Sequence, residues 1–172
     1  MRKYLKCSTT VHHYDEIYIK IRGKLRYLYI AIDSKGNTLD FVLTVKKDKS
    51  SAIQFLRRVL SQDHVISPGT IVTDKNPSYS AAIRELKEGK ILKSNLRYVK
   101  HKRSNNIIES DHRFVKRRIK YCMWFQEFHS AQRTIAGYES MHMIRKGQIR
   151  YLRQNDPVAQ CRFVQNLFGV AA

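Results

Sequence analysis

Hydrophobic residues recur with a period of two through the first part of this chain and with a helical period afterwards, and that switch dictates a sheet covered by helices. From His13 to Ile21, the residues Asp15, Ile17, Ile19 and Ile21 alternate with Tyr14, Glu16, Tyr18 and Lys20, which predicts a strand. Arg22-Gly23 reads as a tight hairpin turn into a second strand, Leu25 to Ile32, rich in aromatic and β-branched residues. Ser34-Lys35-Gly36-Asn37 is a second turn and Thr38 to Val45 a third strand. Three such strands in succession form an antiparallel meander.

Beyond them Ala52, Phe55, Leu56, Val59 and Leu60 fall on one helical stripe, so 51–62 is expected as a helix with Ser50 or Ser51 as N-cap. Thr70 to Thr73 is a short apolar strand that runs out at Asp74. Asn76 as N-cap, Pro77 at the first helical position and Gly89 as stop frame the next helix, with Tyr79, Ala82, Ile83 and Leu86 on its inner stripe. Leu96 to Val99 reads as a fifth strand, followed by a basic helix from about Asn106 to Cys122 and a longer one from about Glu127 to Lys146. The order β-β-β-α-β-α-β-α-α is that of an α/β fold with a mixed sheet: the meander plus parallel strands, flanked by helices. The organisation expected is a short N-terminal remnant (1–12), one domain over 13–148 and a C-terminal tail (149–172).

Charge then selects the partner class. The 172 residues carry Lys+Arg 33 against Asp+Glu 14, a formal net charge of +19, while the hydrophobic fraction of 42% is that of an ordinary globular chain. Such an excess repels itself and is offset most simply by a polyanion, so nucleic acid leads. No run approaches the roughly 18 apolar residues of a spanning helix, and MRKYLKCSTT has no apolar stretch after its basic start, so it does not read as a signal peptide. Cys7, Cys122 and Cys161 are widely spaced and form no C-x-x-C pair, which suits a reducing cytoplasm and argues against zinc; His12, His13, His101 and His112 keep a metal role for histidine open.

In a chain so poor in acids, each carboxylate invites a reason. Asp33 precedes a turn, Asp48 a helix, Asp156 a proline, and Glu85 and Glu88 sit on a polar helical face. Asp15 is different: alternation puts it on the face of Ile17, Ile19 and Ile21, where an unpaired carboxylate is costly, while Glu16 is expected to point the other way into solvent. Asp74 ends a buried strand ahead of a helix, where sheet proteins commonly bind ligands; a turn or capping role is its alternative. On the basic helix, Glu109 shares a face with Arg113, Lys116 and Lys120, whereas Asp111 falls in the apolar sector with Ile108, Phe114, Val115, Ile119 and Arg118. Glu109 closes a capping box if Asn106 is the N-cap; beside three cations it equally suits a place where metal and phosphate meet. Asp111 is the alternative third acid, otherwise paired in the core.

Carboxylates from a strand, a strand end and a helix are what a Mg²⁺ site for phosphoryl transfer needs. Mg²⁺ is hard and oxygen-seeking, and takes one or two carboxylates per ion with water and substrate phosphate. Two such ions roughly 3.5–4 Å apart activate the attacking oxygen and stabilise the leaving one; Mn²⁺ can substitute.

The spacing and the strings around these acids resemble a known family. Asp74 and Glu109 are separated by 34 residues, and Lys116 lies seven beyond Glu109, two turns along the same face. This D…D-x34-E pattern with a basic residue at +7 resembles DDE transposases and retroviral-type integrases. YDEIYIKIRGKLRYLYIAID (14–33), TDKNPSY (73–79), NNIIESDHRFVKRR (105–118) and MHMIRKGQ (141–148) resemble bacterial insertion-sequence transposases of the cointegrate-forming group typified by insertion sequence six.

The resemblance implies a ribonuclease-H-like fold, Asp15, Asp74 and Glu109 as metal-binding catalytic triad, and Lys116 as its basic partner. It also implies double-stranded DNA as substrate, nicked by water and then joined through the freed 3′-hydroxyl, at least a homodimer to hold two ends, and work at the nucleoid without a membrane. Lys102, Arg103, Arg113, Lys116, Arg117, Arg118 and Lys120 are the expected DNA contacts. Two positions depart from the family: Leu25 stands where relatives usually have tryptophan and Ile30 where they usually have arginine. Relatives carry a helix-turn-helix before the first strand, and here only a short segment precedes Asp15, so the chain reads as a truncated element or one with a misplaced start. A catalytically idle remnant that binds DNA nonspecifically or interferes with intact transposase, a nuclease of the ribonuclease H type, and a basic structural protein are the other readings.

Overall fold

The structure is a computed structural model that describes residues 1–100, 106–121 and 125–170, and within 106–121 the side chains of 108, 111 and 113–119. Lys102 and Arg103 lie outside the described residues, as do the side chains of Glu109 and Lys120. Five strands form one sheet: β1 (Val11–Ile21), β2 (Lys24–Asp33), β3 (Thr38–Thr44), β4 (Thr70–Thr73) and β5 (Arg97–Lys100), in the order β3-β2-β1-β4-β5. The meander β1-β2-β3 is antiparallel, whereas β4 runs parallel to β1 and β5 parallel to β4. The first turn is tight because Arg22 and Gly23 both take positive φ, 49° and 72°, the geometry that matches the twist of the flanking strands.

Helices cover both faces. On one, α1 (Lys49–Leu60) and α2 (Pro77–Glu88) bury Ala52, Phe55, Leu56, Tyr79, Ile83 and Leu86 against Tyr14, Tyr29 and Ile71. On the other, α3 (Asn106–Tyr121) and α4 (Phe128–Arg145) bring Ile108, Val115, Ala131 and Ile135 onto Ile17, Ile19, Leu28, Ile30 and Ile32. The cap of α2 is as the sequence predicts, with Asn76 accepting from the Ser78 N–H at 3.1 Å. The cap of α1 is Asp48, which accepts from the Ser51 N–H at 2.8 Å, and not Ser50 or Ser51, so the helix begins two residues earlier than expected, with Asp48 as good an N-cap as either serine. The tail contains a further helix, α5 (Pro157–Leu167), capped by Asp156 through the Ala159 N–H at 2.9 Å. Among the described residues no helix is long and apolar enough to cross a membrane.

Buried polar groups lock α3 to α4. Asp111 is buried and accepts from His142 Nε2 at 2.9 Å and Lys146 Nζ at 2.8 Å. The His142 ring stacks on Phe114 at 3.9 Å. Burial works to raise the Asp111 carboxyl, but the His142 hydrogen bond and the Lys146 charge outweigh it and hold it below the usual range. Lys146 also donates to Gly36 O and Thr38 Oγ1, which fastens α4 to the β2–β3 turn. One helical turn before His142, Glu139 is wholly buried, and neither of its oxygens has a hydrogen-bond partner among the described residues. Burial, with Asp111 nearby, pushes its carboxyl up to about 8.

The segment before β1 is laced to the loop after α4. Leu5 bridges Ile149, the Lys6 N–H donates to Gln148 O at 3.0 Å, the Arg150 N–H to Tyr4 O at 2.7 Å, and Lys6 Nζ to Gly147 O at 2.6 Å. Leu5 packs there with Met143, Ile144 and Ile149.

Candidate active site

The parallel pairing of β1 with β4 sets Tyr14 opposite Thr73, so the next residue of each chain segment, Asp15 and Asp74, emerges at the same place on the sheet. There one carboxylate oxygen from each of Asp15, Glu16 and Asp74 lies within 4.8 Å of the others. Asp15 sits across from the fully buried Ile30 of β2. Burial pushes its carboxyl up to about 6; the Glu16 N–H, donating to Oδ1 at 2.8 Å, and Lys116 and Lys47 pull against that, while the Asp74 charge adds to it. Asp74 is half-buried, and its Oδ1 accepts from the Asn76 N–H at 3.0 Å, a turn that holds the carboxylate at the end of β4.

Glu16 is not the solvated residue that strand alternation predicts. Its side chain is 1% exposed, with Oε2 at 3.5 Å from Lys47 Nζ, and Oε1 accepts from Asn76 Nδ2 at 2.7 Å. Burial first, then the charges of Asp74 and Asp15, push its carboxyl up to about 7 against the pull of Lys47 and the Asn76 hydrogen bond. The reason is architectural: β1 is the middle strand of a sheet with helices on both sides, so both of its faces are covered at this level and alternation does not sort inside from outside. Lys47 and Asn76 are members of the site that sequence reasoning misses; the capping role of Asn76 is visible in the sequence, its second use through Nδ2 is not.

The basic residues distribute around α3. Lys116 is exposed on this helix, and its charge is felt at Asp15. Arg113, Arg117 and Arg118 are exposed as well, with the Arg118 guanidinium over the Phe114 ring at 5.6 Å. The backbone of Glu109 belongs to α3, which packs on β1. α3 starts at Asn106, and the side chains of Asn106 and Glu109, on which the capping box expected for Glu109 depends, lie outside the described residues. Asp111, the alternative third acid, points into the α3–α4 interface and is occupied there by His142 and Lys146. His12 is buried with Nε2 on Thr9 O at 3.0 Å, and burial lowers it to about 4; it forms part of no metal cluster among the described residues.

Comparison with known proteins gives the family and the fold. A family model described as a DDE domain matches residues 9–148. The transposase for the insertion sequence-like element IS431mec of Staphylococcus aureus is 37% identical over 140 residues, which are 81% of this chain and 59% of that relative. The transposase for insertion sequence element IS257 in transposon Tn4003 of the same species matches to the same extent. The chain thus spans about three-fifths of the length of these curated relatives. The uncharacterized protein pYV0051 of Yersinia pseudotuberculosis is 49% identical over 78 residues, covering 44% of this chain and 73% of that one.

Among solved structures, the HTLV-2 integrase catalytic core domain in complex with magnesium superposes with a TM-score of 0.58 at 11% identity, over 86% of this chain and 90% of that one. The catalytic core domain of BIV integrase gives 0.57 at 11% identity, over 92% and 99%. At such identities the likeness speaks for the fold, which is the ribonuclease-H-like one. By the extent of the family match and its staphylococcal relatives, the chain belongs to the DDE domain family, in the insertion-sequence-six group of transposases that its motifs resemble.

Proposed function

We propose that this chain is the catalytic part of an insertion-sequence transposase that cuts and joins double-stranded DNA, with 13–148 as the catalytic unit. The observation that carries the reading is the convergence of Asp15 of β1 and Asp74, just past the end of β4, within 4.8 Å. The donor set fits a hard divalent cation: every ligand is a carboxylate oxygen, and the upward push on Asp15 marks a place where negative charge is crowded and half-desolvated, which a cation relieves. Magnesium, for which manganese can stand in, supplies activation of the attacking oxygen and stabilisation of the leaving one, most economically as a pair of ions. Asp15, Asp74 and, from α3, Glu109 would hold it.

Lys116, near enough for its charge to reach Asp15, meets the phosphate at the reacting position. Arg113, Arg117 and Arg118, with Lys102, Arg103 and Lys120, bind the flanking backbone by charge without reading sequence. No side chain forms a bond to DNA in this scheme, because water and then a 3′-hydroxyl are the nucleophiles. Joining two ends requires at least a homodimer, and such a substrate sets the work at the nucleoid, in the cytoplasm.

The test is cleavage and joining of a labelled DNA oligonucleotide with Mg²⁺ or Mn²⁺. We expect the wild-type chain to act and Asp74→Asn to lose activity by at least about 10³-fold while binding DNA equally. Equal binding with no cutting by either protein would replace this reading with that of an idle DNA-binding remnant.

A further inference from the structure

Glu16 is a buried carboxylate adjacent in sequence to one proposed metal ligand and linked through a single residue to the other. Its Oε1 takes the Asn76 Nδ2 donor at 2.7 Å. The main-chain N–H of that same Asn76 donates to Asp74 Oδ1 at 3.0 Å, and its Oδ1 caps α2 through the Ser78 N–H at 3.1 Å. One asparagine therefore joins β1, the loop after β4 and the start of α2, and Glu16 is its anchor on β1. The remaining oxygen, Oε2, faces Lys47, which also donates to the Tyr18 hydroxyl at 2.7 Å.

We propose that Glu16, acting through Asn76, is a positioning residue that holds Asp74 beside Asp15, and is not itself a metal ligand. The proposal rests on the metal-site reading above. Both Glu16 oxygens already face donors, an amide N–H and an ammonium, so a cation would have to share each oxygen with a group that already offsets part of its charge. A buried carboxylate in this setting does little for stability, since desolvation offsets its pairing with Lys47. What it does supply is a fixed length between two ligand-bearing segments, the part that hydrogen bonds around metal ligands play; losing such partners typically weakens metal affinity about 10- to 100-fold.

The experiment is Mn²⁺ binding to the full chain without DNA, read as free Mn²⁺ by electron paramagnetic resonance, with urea unfolding to verify each variant is folded. Glu16→Ala and Asn76→Ala should each weaken binding about 10-fold or more, and the double variant should be no worse than either, because they break one linkage. Glu16→Gln, which keeps an oxygen for Asn76, should bind within about threefold of wild type; it and Asn76→Ala carry the test if Glu16→Ala does not fold. Asp74→Asn should bind far more weakly than any of them. Wild-type affinity in Glu16→Ala or Asn76→Ala overturns the linkage, as does a loss in Glu16→Gln equal to that in Asp74→Asn, which would make Glu16 a ligand. Unchanged binding in Asp74→Asn would instead sink the metal site itself, and the positioning role with it.

Discussion

Glu139 turns the α3–α4 interface into a source of pH-dependent stability. Its carboxyl is fully buried without a hydrogen-bond partner among the described residues, and burial reinforced by Asp111 raises it from 4.5 to about 8, with Lys146 pulling weakly the other way. The folded protein keeps this proton to higher pH than the unfolded chain. Stability from this residue is therefore full below 4.5 and is lost as pH rises, at about 1.4 kcal/mol per pH unit while only the unfolded state has ionised. At pH 7.5 the accumulated cost is about 4 kcal/mol, a large part of the 5–15 kcal/mol that typically holds a domain together.

Glu139→Gln removes the titration and keeps the shape. In urea unfolding followed by circular dichroism, wild type and variant should have similar stability at pH 4.5, and the variant should gain steadily on wild type up to pH 8. Parallel stability curves across that range would refute the reasoning and show that Glu139 ionises in the fold without cost.

Asp111 gives the opposite slope: its carboxyl is held low, so Asp111→Asn should cost most at neutral pH, and the difference from wild type in the same assay should shrink as pH falls through the acid range. Gly147 has φ +68°, and a Cβ there would meet the Gln154 backbone nitrogen at 2.8 Å; Gly147→Ala should lower unfolding free energy by about 2 kcal/mol or more. Replacing Lys116, Arg117 and Arg118 by Gln should flatten the dependence of log affinity for duplex DNA on log salt by about 0.9 for each phosphate left without a cation. An unchanged slope would remove those residues from the DNA-binding surface.

The fold is legible where a local signal decides the local outcome. Arg22-Gly23 marks a turn because its positive φ pair demands it, and Asn76, Pro77 and Gly89 bound α2 within a residue of expectation. Asp156-Pro157 carries the same kind of start signal for α5 yet reads as no more than an acid before a proline, because the helix it opens has only a weak apolar stripe and buries no residue fully. For the site, Asp15 is recognisable as an acid on an apolar face and Asp74 as an acid at a strand end. Their meeting depends on the β1–β4 register, a pairing of segments some sixty residues apart that no period of two or 3.6 encodes. Glu16 escapes the sequence for the related reason that its burial comes from Lys47 and Asn76, supplied by the approaches to α1 and α2.

The lacing of residues 4–6 to 147–150 has a bearing on how the molecule forms and opens. Links such as Lys6 to Gly147 span a sequence separation of 141, so the entropy of closing nearly the whole chain must be met before they form. They should be late to assemble and early to fray, shedding amide protection before the central strands do.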